Sequence, residues 1–277
     1  MADIQKISSV DKGDIEKVSG VAATAIENVS GHGLVTFTDT TYTITSSTNS
    51  WAIPTGTNHI QISLCGGGTA GRNSHFNQAG GGGAGAGTTQ NAKSAIGNIT
   101  SLAITIAAAM NGQSNNAGGA NSSVTGTGLT TMTANGGGVA YYGDDSTSAG
   151  GGGSGGSTNT TGGNGGLGAD SNPKAGTDGG DGACGGGGGG HTRTPNTVTT
   201  AGGNSTVTHS DGLANPGFGA GGGGGAGSVN IRQNGGNGGS GGGGGAAGCG
   251  QHGDGDHEQG TEGSGGAGLC YITVYGA

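Results

Sequence analysis

Unbroken glycine runs, six residues at 185–190 and five at 221–225, limit this chain more than any other feature. Glycine supplies 76 of the 277 residues, against a usual share of roughly 7 per cent, and the hydrophobic share is only 29 per cent. A conventional apolar core can therefore cover only part of the length, which argues against an enzyme fold. Collagen is excluded, because such runs break any Gly-x-y period and only four prolines are present. Between 150 and 268 there are 50 glycines. As a flexible linker this stretch would be solvated coil. As packed structure it would consist of extended polyglycine-II helices, which make no internal hydrogen bonds and leave every N–H and C=O for neighbours. Such helices approach closely because no Cβ stands between them. Strands on both flanks, and the absence of serine-rich monotony, favour packing.

Those strands show as period-two alternation. LVTFTDTTYTITSS reads as two half-buried strands, with Val35 and Phe37 before a turn at Asp39 and Thr40, and Tyr42 and Ile44 after it. HIQISLC places Ile60, Ile62 and Leu64 on one face, and SLAITIA does the same with Leu102, Ile104 and Ile106. The closing LCYITVY sets Cys270, Ile272 and Val274 against Leu269, Tyr271, Thr273 and Tyr275. The expected fold class is mainly β and irregular: a short strand framework enclosing a bundle of polyglycine-II helices.

Residues 1–33 obey a different rule. DIQKISS, DIEKVSG and AIENVSG recur at an interval of 11 residues, aligning Ile4, Ile15 and Ile26, and likewise Ile7, Val18 and Val29. Each unit offers one small apolar face that needs a partner surface. These six residues are the candidate docking positions, and the expected organisation is a docking segment at 1–33 followed by a glycine-rich domain at 34–277.

Sixteen acidic against eight basic residues give a net charge of −8 with no basic run, which argues against nucleic acid and against an anionic membrane surface as partners. No window has the apolar length of a membrane span, and the N-terminus lacks a secretory pattern, so the expectation is a soluble chain made in a cytosol. Cys65, Cys184, Cys249 and Cys270 have no CxxC spacing and are expected as free thiols. GxGxxG matches recur, yet none joins a strand to a helix, so no nucleotide site is expected. HGDGDHEQG, with His252, Asp254, Asp256, His257 and Glu258, is the densest set of metal-type donors; its glycine spacing leaves them without preorganisation, and neither metal nor cofactor is expected.

Polar segments interrupt the glycine runs: YYGDDSTS, HTRTPNTVTT, NSTVTHSDGLANP, SVNIRQN and QHGDGDHEQGTE. They carry Tyr141, Tyr142, His191, Arg193, His209, Arg232, His252 and His257, side chains suited to adaptable contacts with saccharides or protein loops when a rigid scaffold holds them. Plain turns are the competing reading.

The order of the pieces also has a precedent. WAIPTGTNHIQISLCGGG at 51–68, the run GGGGAGAG at 80–87, the strand around 102–106, GGANSSV, TANGGG and the closing GGAGLCYITVY follow one another as in the glycine-rich domain of phage virion proteins, which 34–277 resembles. The chain departs from that pattern at Ala107-Ala108-Ala109-Met110, where a glycine-rich corner is usual. The resemblance implies a fibre-tip adhesin or virion appendage whose polyglycine-II sandwich presents variable loops to a host-surface saccharide or outer-surface protein. It implies a leader that docks on another virion protein, assembly in the host cytoplasm before release, and a homo-oligomer as one possible state. Two alternatives stay open: a structural or capsid-surface decoration protein without a receptor, and an ice-binding glycine-rich protein.

Overall fold

The structure is a computed structural model that describes residues 37–72, 82–111, 118–139, 153–168, 176–182, 187–188, 201–202, 234–242 and 261–276, together with the backbone of eight short strands outside those ranges. No helix occurs among the described residues.

Six of the short strands lie in the N-terminal repeat. β1 (Lys6–Ile7) pairs with β2 (Val10–Asp11), β3 (Lys17–Val18) with β4 (Val21–Ala22), and β5 (Asn28–Val29) with β6 (His32–Gly33). The register is the same in each, Ile7↔Val10, Val18↔Val21 and Val29↔His32, so in every unit two residues of sequence separate the paired strands.

The domain itself begins with β7 (Thr40–Ile44), β8 (Thr48–Ala52) and β9 (His59–Cys65). Next come β10 (Thr88–Gln90), β11 (Ser94–Ala95), β12 (Ser101–Thr105), β13 (Ser122–Gly126), β14 (Leu129–Ala134) and β15 (Thr158–Thr160). β16 (Cys249–Gln251), β17 (His257–Gln259) and β18 (Leu269–Tyr275) close the chain. One sheet runs β15-β10-β9-β18-β7 with β11 also on β9, and a second runs β14-β13-β12-β8. Between the two sheets lies the core, made of Ile60, Ile62, Leu64, Cys270, Ile272 and Val274 from the first sheet against Leu102, Ile104, Val124, Met132 and Ala134 from the second. Alternation drives this arrangement, since period-two apolar residues on two sheets can leave water only by facing each other.

Of the strand expected at Val35 and Phe37, Val35 lies outside the described residues, and the turn expected at Asp39-Thr40 is not present. Residues 37–39 are not strand and Thr40 opens β7, which pairs with β18, whereas β8 passes to the second sheet and pairs with β12. Phe37 instead packs its ring against Gly56 and Gly276, where the missing side chains make room. The β13–β14 hairpin turns at Thr127-Gly128, with Gly128 at φ 82°, a left-handed conformation that glycine adopts at no steric cost.

β9 and β18 are neighbours over seven register pairs, from Leu269↔Cys65 to Tyr275↔His59, so the glycine-rich mass starts and ends on two adjacent central strands. Past Cys65 the backbone hydrogen bonds change partner with every residue. Gly66 and Thr69 donate to Gly87 and Ala84, Gly67 donates to Ala120, and Gly68 and Gly71 donate to Gly266 and Gly263, at 2.9–3.2 Å. The segment 261–268 behaves alike. Thr261, Ser264 and Ala267 accept from Gly235, Gly238 and Gly241; Gly263 and Gly266 accept from Gly71 and Gly68; Gly265 and Gly268 donate to Met110 and Ala107. Partners thus recur at every third residue on three sides of one chain. The alanine corner at 107–110 takes part on the same terms as glycine, Met110 exchanging both backbone bonds with Gly265.

Candidate functional site

The direction of the strands gives the domain two poles. β9 runs toward the glycine segments, and β18 runs away from them. At the sheet end of the glycine region sit the pairs Gly66–Gly87, Gly68–Gly266 and Ala107–Gly268. Further out come Gly71–Gly263, Gly82–Gly166 and Met110–Gly265. Arg72, Asn111 and Gly168 each lie one or two residues beyond a member of that outer set.

Four of the eight expected recognition residues, His191, Arg193, Arg232 and His257, follow or precede this outer pole in the chain. Tyr141 and Tyr142 do not: they follow Val139, two residues past Gly137, which donates to Gly67 at the sheet end of the glycine region. His191 and Arg193 follow Gly188, whose N–H reaches Gly83 O at 2.8 Å, and Arg232 precedes Asn234, whose Oδ1 accepts from Thr261 N at 2.9 Å. His257 opens β17, opposite Gln251, four residues before Thr261. Tyr141, Tyr142, His191, Arg193, His209, Arg232 and His252 themselves lie outside the described residues, and of His257 only the strand backbone is described. Within HGDGDHEQG, His257 and Glu258 are therefore strand positions, paired with Gln251 and Gly250, and 252–256 connect the two strands.

The flanks of these segments are held by backbone and by side chains that mimic it. Asn234 Oδ1 and Asn237 Oδ1 accept from Thr261 N and Ser264 N, both at 2.9 Å, and Asp178 Oδ1 accepts from Ala201 N at 2.6 Å. Asn234 and Asn237 are exposed and three residues apart, so each amide closes one outward backbone donor of the neighbouring segment. Sequence reasoning missed this use of Asn, although the N-G-G-N-G-G spacing at 234–239 carries it.

The chain enters the domain at the other pole. Thr40 pairs with Val274 near the end of β18, Gly276 N donates to Asp39 Oδ1 at 3.3 Å, and Lys93 Nζ sits 3.9 Å over the Tyr275 ring there. The docking positions divide in two. Ile7, Val18 and Val29 each stand directly before the two residues that separate paired strands, whereas Ile4, Ile15 and Ile26 lie outside the described residues. The signal for those paired strands was a short Ser-Ser or Ser-Gly step after each of Ile7, Val18 and Val29.

The cysteines correct one expectation. Cys270 is a free, fully buried thiol whose pKa is pushed up by loss of water, but Cys65 is disulfide-bonded. Its partner is Cys184 or Cys249, the two remaining cysteines. Residues so far apart in sequence meet only through the fold, so spacing could not disclose the bond.

Compared with known protein families, residues 43–275 match the one described as "Glycine-rich domain". No curated protein matches the chain.

Proposed function

We propose a function from one premise: the chain belongs to the glycine-rich domain family. It is a phage virion structural protein, a fibre tip or appendage that docks through residues 1–33 and meets the host surface through the polar segments between glycine runs. It is not an enzyme. The glycine-rich mass is a polyglycine-II bundle, a reading supported by partners that recur every third residue, because a helix with three residues per turn points successive groups 120° apart.

The observation that carries the functional reading is the polarity of the domain. The chain enters beside Gly276, whereas Gly188, Asn234 and Thr261, which flank three of the polar segments, sit at the opposite pole. A chain entry at one pole and the flanks of three polar segments at the other fit an attachment tip. The backbone hydrogen bonds that tie these flanks to neighbouring segments support the reading, since loops held by a fixed frame lose less entropy on binding.

The test replaces YYGDDSTS, HTRTPNTVTT and QHGDGDHEQGTE in turn by Gly-Ser segments in the virion and measures adsorption to host cells alongside incorporation. Loss of adsorption with normal incorporation is expected for at least one replacement. Normal adsorption by all three variants refutes receptor binding and leaves a structural or decoration protein.

A further inference from the structure

We propose that two copies of this chain pair edge to edge through β7, antiparallel, with Tyr42 on the twofold axis.

Four strands form the edges of the two main sheets, and three of them are blunted. β15 is only three residues long; β14 is bridged by Ser154 through Thr133; β8 pairs with β12 across an irregularity between Leu102 and Ile104. β7 has none of these features. Its register with β18 is unbroken over five pairs, Thr40↔Val274 to Ile44↔Cys270, and its sequence TTYTI holds no charge and no proline. Thr40, Thr41 and Thr43 are exposed, and among the described residues no strand lies on its other side. A regular, uncharged β edge with free N–H and C=O groups is a template for another strand.

The sequence of β7 also fits itself. In an antiparallel self-pair centred on Tyr42, Thr41 of one copy faces Thr43 of the other, Thr40 faces Ile44, and Tyr42 faces its own counterpart. Every facing pair joins residues that point to the same side of the sheet, threonines with threonines on one side and the larger groups on the other. Asp39 falls opposite Thr45, so no like charges meet, although the chain carries a net charge of −8. Cross-strand threonine and aromatic pairs of this kind stabilise sheets, and a twofold axis makes the contact self-limiting. Tyr42 and Trp51 add a second observation at the same edge: both are half-buried, with their rings packed edge to face at 5.3 Å, and self-pairing would cover them.

Sedimentation of the full chain tests this. The wild type is expected at twice the chain mass, Thr41→Lys with Thr43→Lys at the chain mass, and Thr41→Lys with Thr43→Glu again at twice the mass, since position 41 of one copy faces position 43 of the other. All three should keep the same circular dichroism spectrum, because both threonines are exposed and the replacements give up only the Thr41 Oγ1 contact with Thr273 Oγ1 at 2.9 Å; the dimers alone should melt at a temperature that rises with concentration. As a measurement that does not rely on the lysine variants folding, Tyr42→Cys should give a covalent dimer under mild oxidation, and Thr38→Cys, away from the axis, should not. A monomeric wild type, a dimer that survives the double lysine change, a charge-paired variant that stays monomeric, or equal cross-linking from both cysteine positions overturns the proposal.

Discussion

Gly265→Ala should damage this fold more than many substitutions in its apolar core. Gly265 exchanges two backbone hydrogen bonds with Met110, at 2.8 and 3.1 Å, while its Cα faces Gly68. A Cβ built there would strike the Gly68 carbonyl oxygen and lie 2.6 Å from Thr69 C, both rigid backbone atoms. To relieve the clash, segments 66–71 and 261–268 must separate, which strains the bonds from Gly68 N to Gly266 O and from Gly71 N to Gly263 O. Overpacking costs about 1–3 kcal/mol, and each bond weakened in a site without water adds about 1 kcal/mol. Alanine stiffens the unfolded chain and returns about 0.4–1 kcal/mol. The net loss is therefore about 2–4 kcal/mol, or roughly 5–15 °C in melting temperature for a domain of this size. Gly180→Ala is the control: its Cβ would meet Asn164 N at 3.3 Å and Asn164 O at 3.6 Å, so small adjustments suffice and the melting temperature should hardly change. Thermal melts followed by circular dichroism, with amide exchange at 66–71, compare the two. If Gly265→Ala melts with the wild type, or Gly180→Ala falls as far, close backbone packing is not what orders this region.

Three further outcomes can be checked on the purified chain or virion. Burial raises the Cys270 pKa above the ordinary 9.0 of a thiol, so the folded state holds the proton more tightly; Cys270 should resist alkylation at pH 8 until denaturant is added, and its share of stability should be lost as pH rises above about 9. Non-reducing peptide mapping should find Cys65 linked to Cys184 or Cys249, and recovery of Cys65 only as an alkylated thiol would contradict the structure. Deleting residues 1–33 should leave 34–277 with an unchanged melting temperature but absent from purified virions, a result reversed if the truncated chain incorporates at normal copy number.

Much of the strand framework was legible because apolar alternation is a local signal. HIQISLC and LCYITVY became β9 and β18 with the faces expected of Ile62 and Ile272, and SLAITIA supplied β12. What the alternation could not give was pairing. β9 and β18 stand about 200 residues apart in sequence and lie side by side only because the glycine mass returns to its starting point. β10 was missed because TTQ is too short to alternate, and the β13–β14 hairpin because its Thr127-Gly128 turn hides among many other glycines. At the candidate site the polar segments could be found by eye, but the partners of the residues that flank them, such as Gly188 on Gly83 and Asn234 on Thr261, could not. Those partners follow from which glycine bonds which, and identical residues carry no such information.

That same anonymity of glycine bears on how such a domain can change. In an ordinary core, a side chain is kept by the neighbours it packs against, so a new surface often costs stability. In this domain Gly68, Gly163 and Gly265 are held by backbone groups, and an added Cβ at each would collide with the carbonyl of Gly242, Gly180 or Gly68. Cohesion therefore depends on the absence of side chains within the runs and hardly at all on the side chains between them. Asn234 and Asn237 mark the boundary between the two regimes, since their amides serve the backbone while their neighbours Gly235 and Gly238 donate into the adjacent segment. On the proposed function, the polar segments outside such positions would be free to vary with the surface they meet.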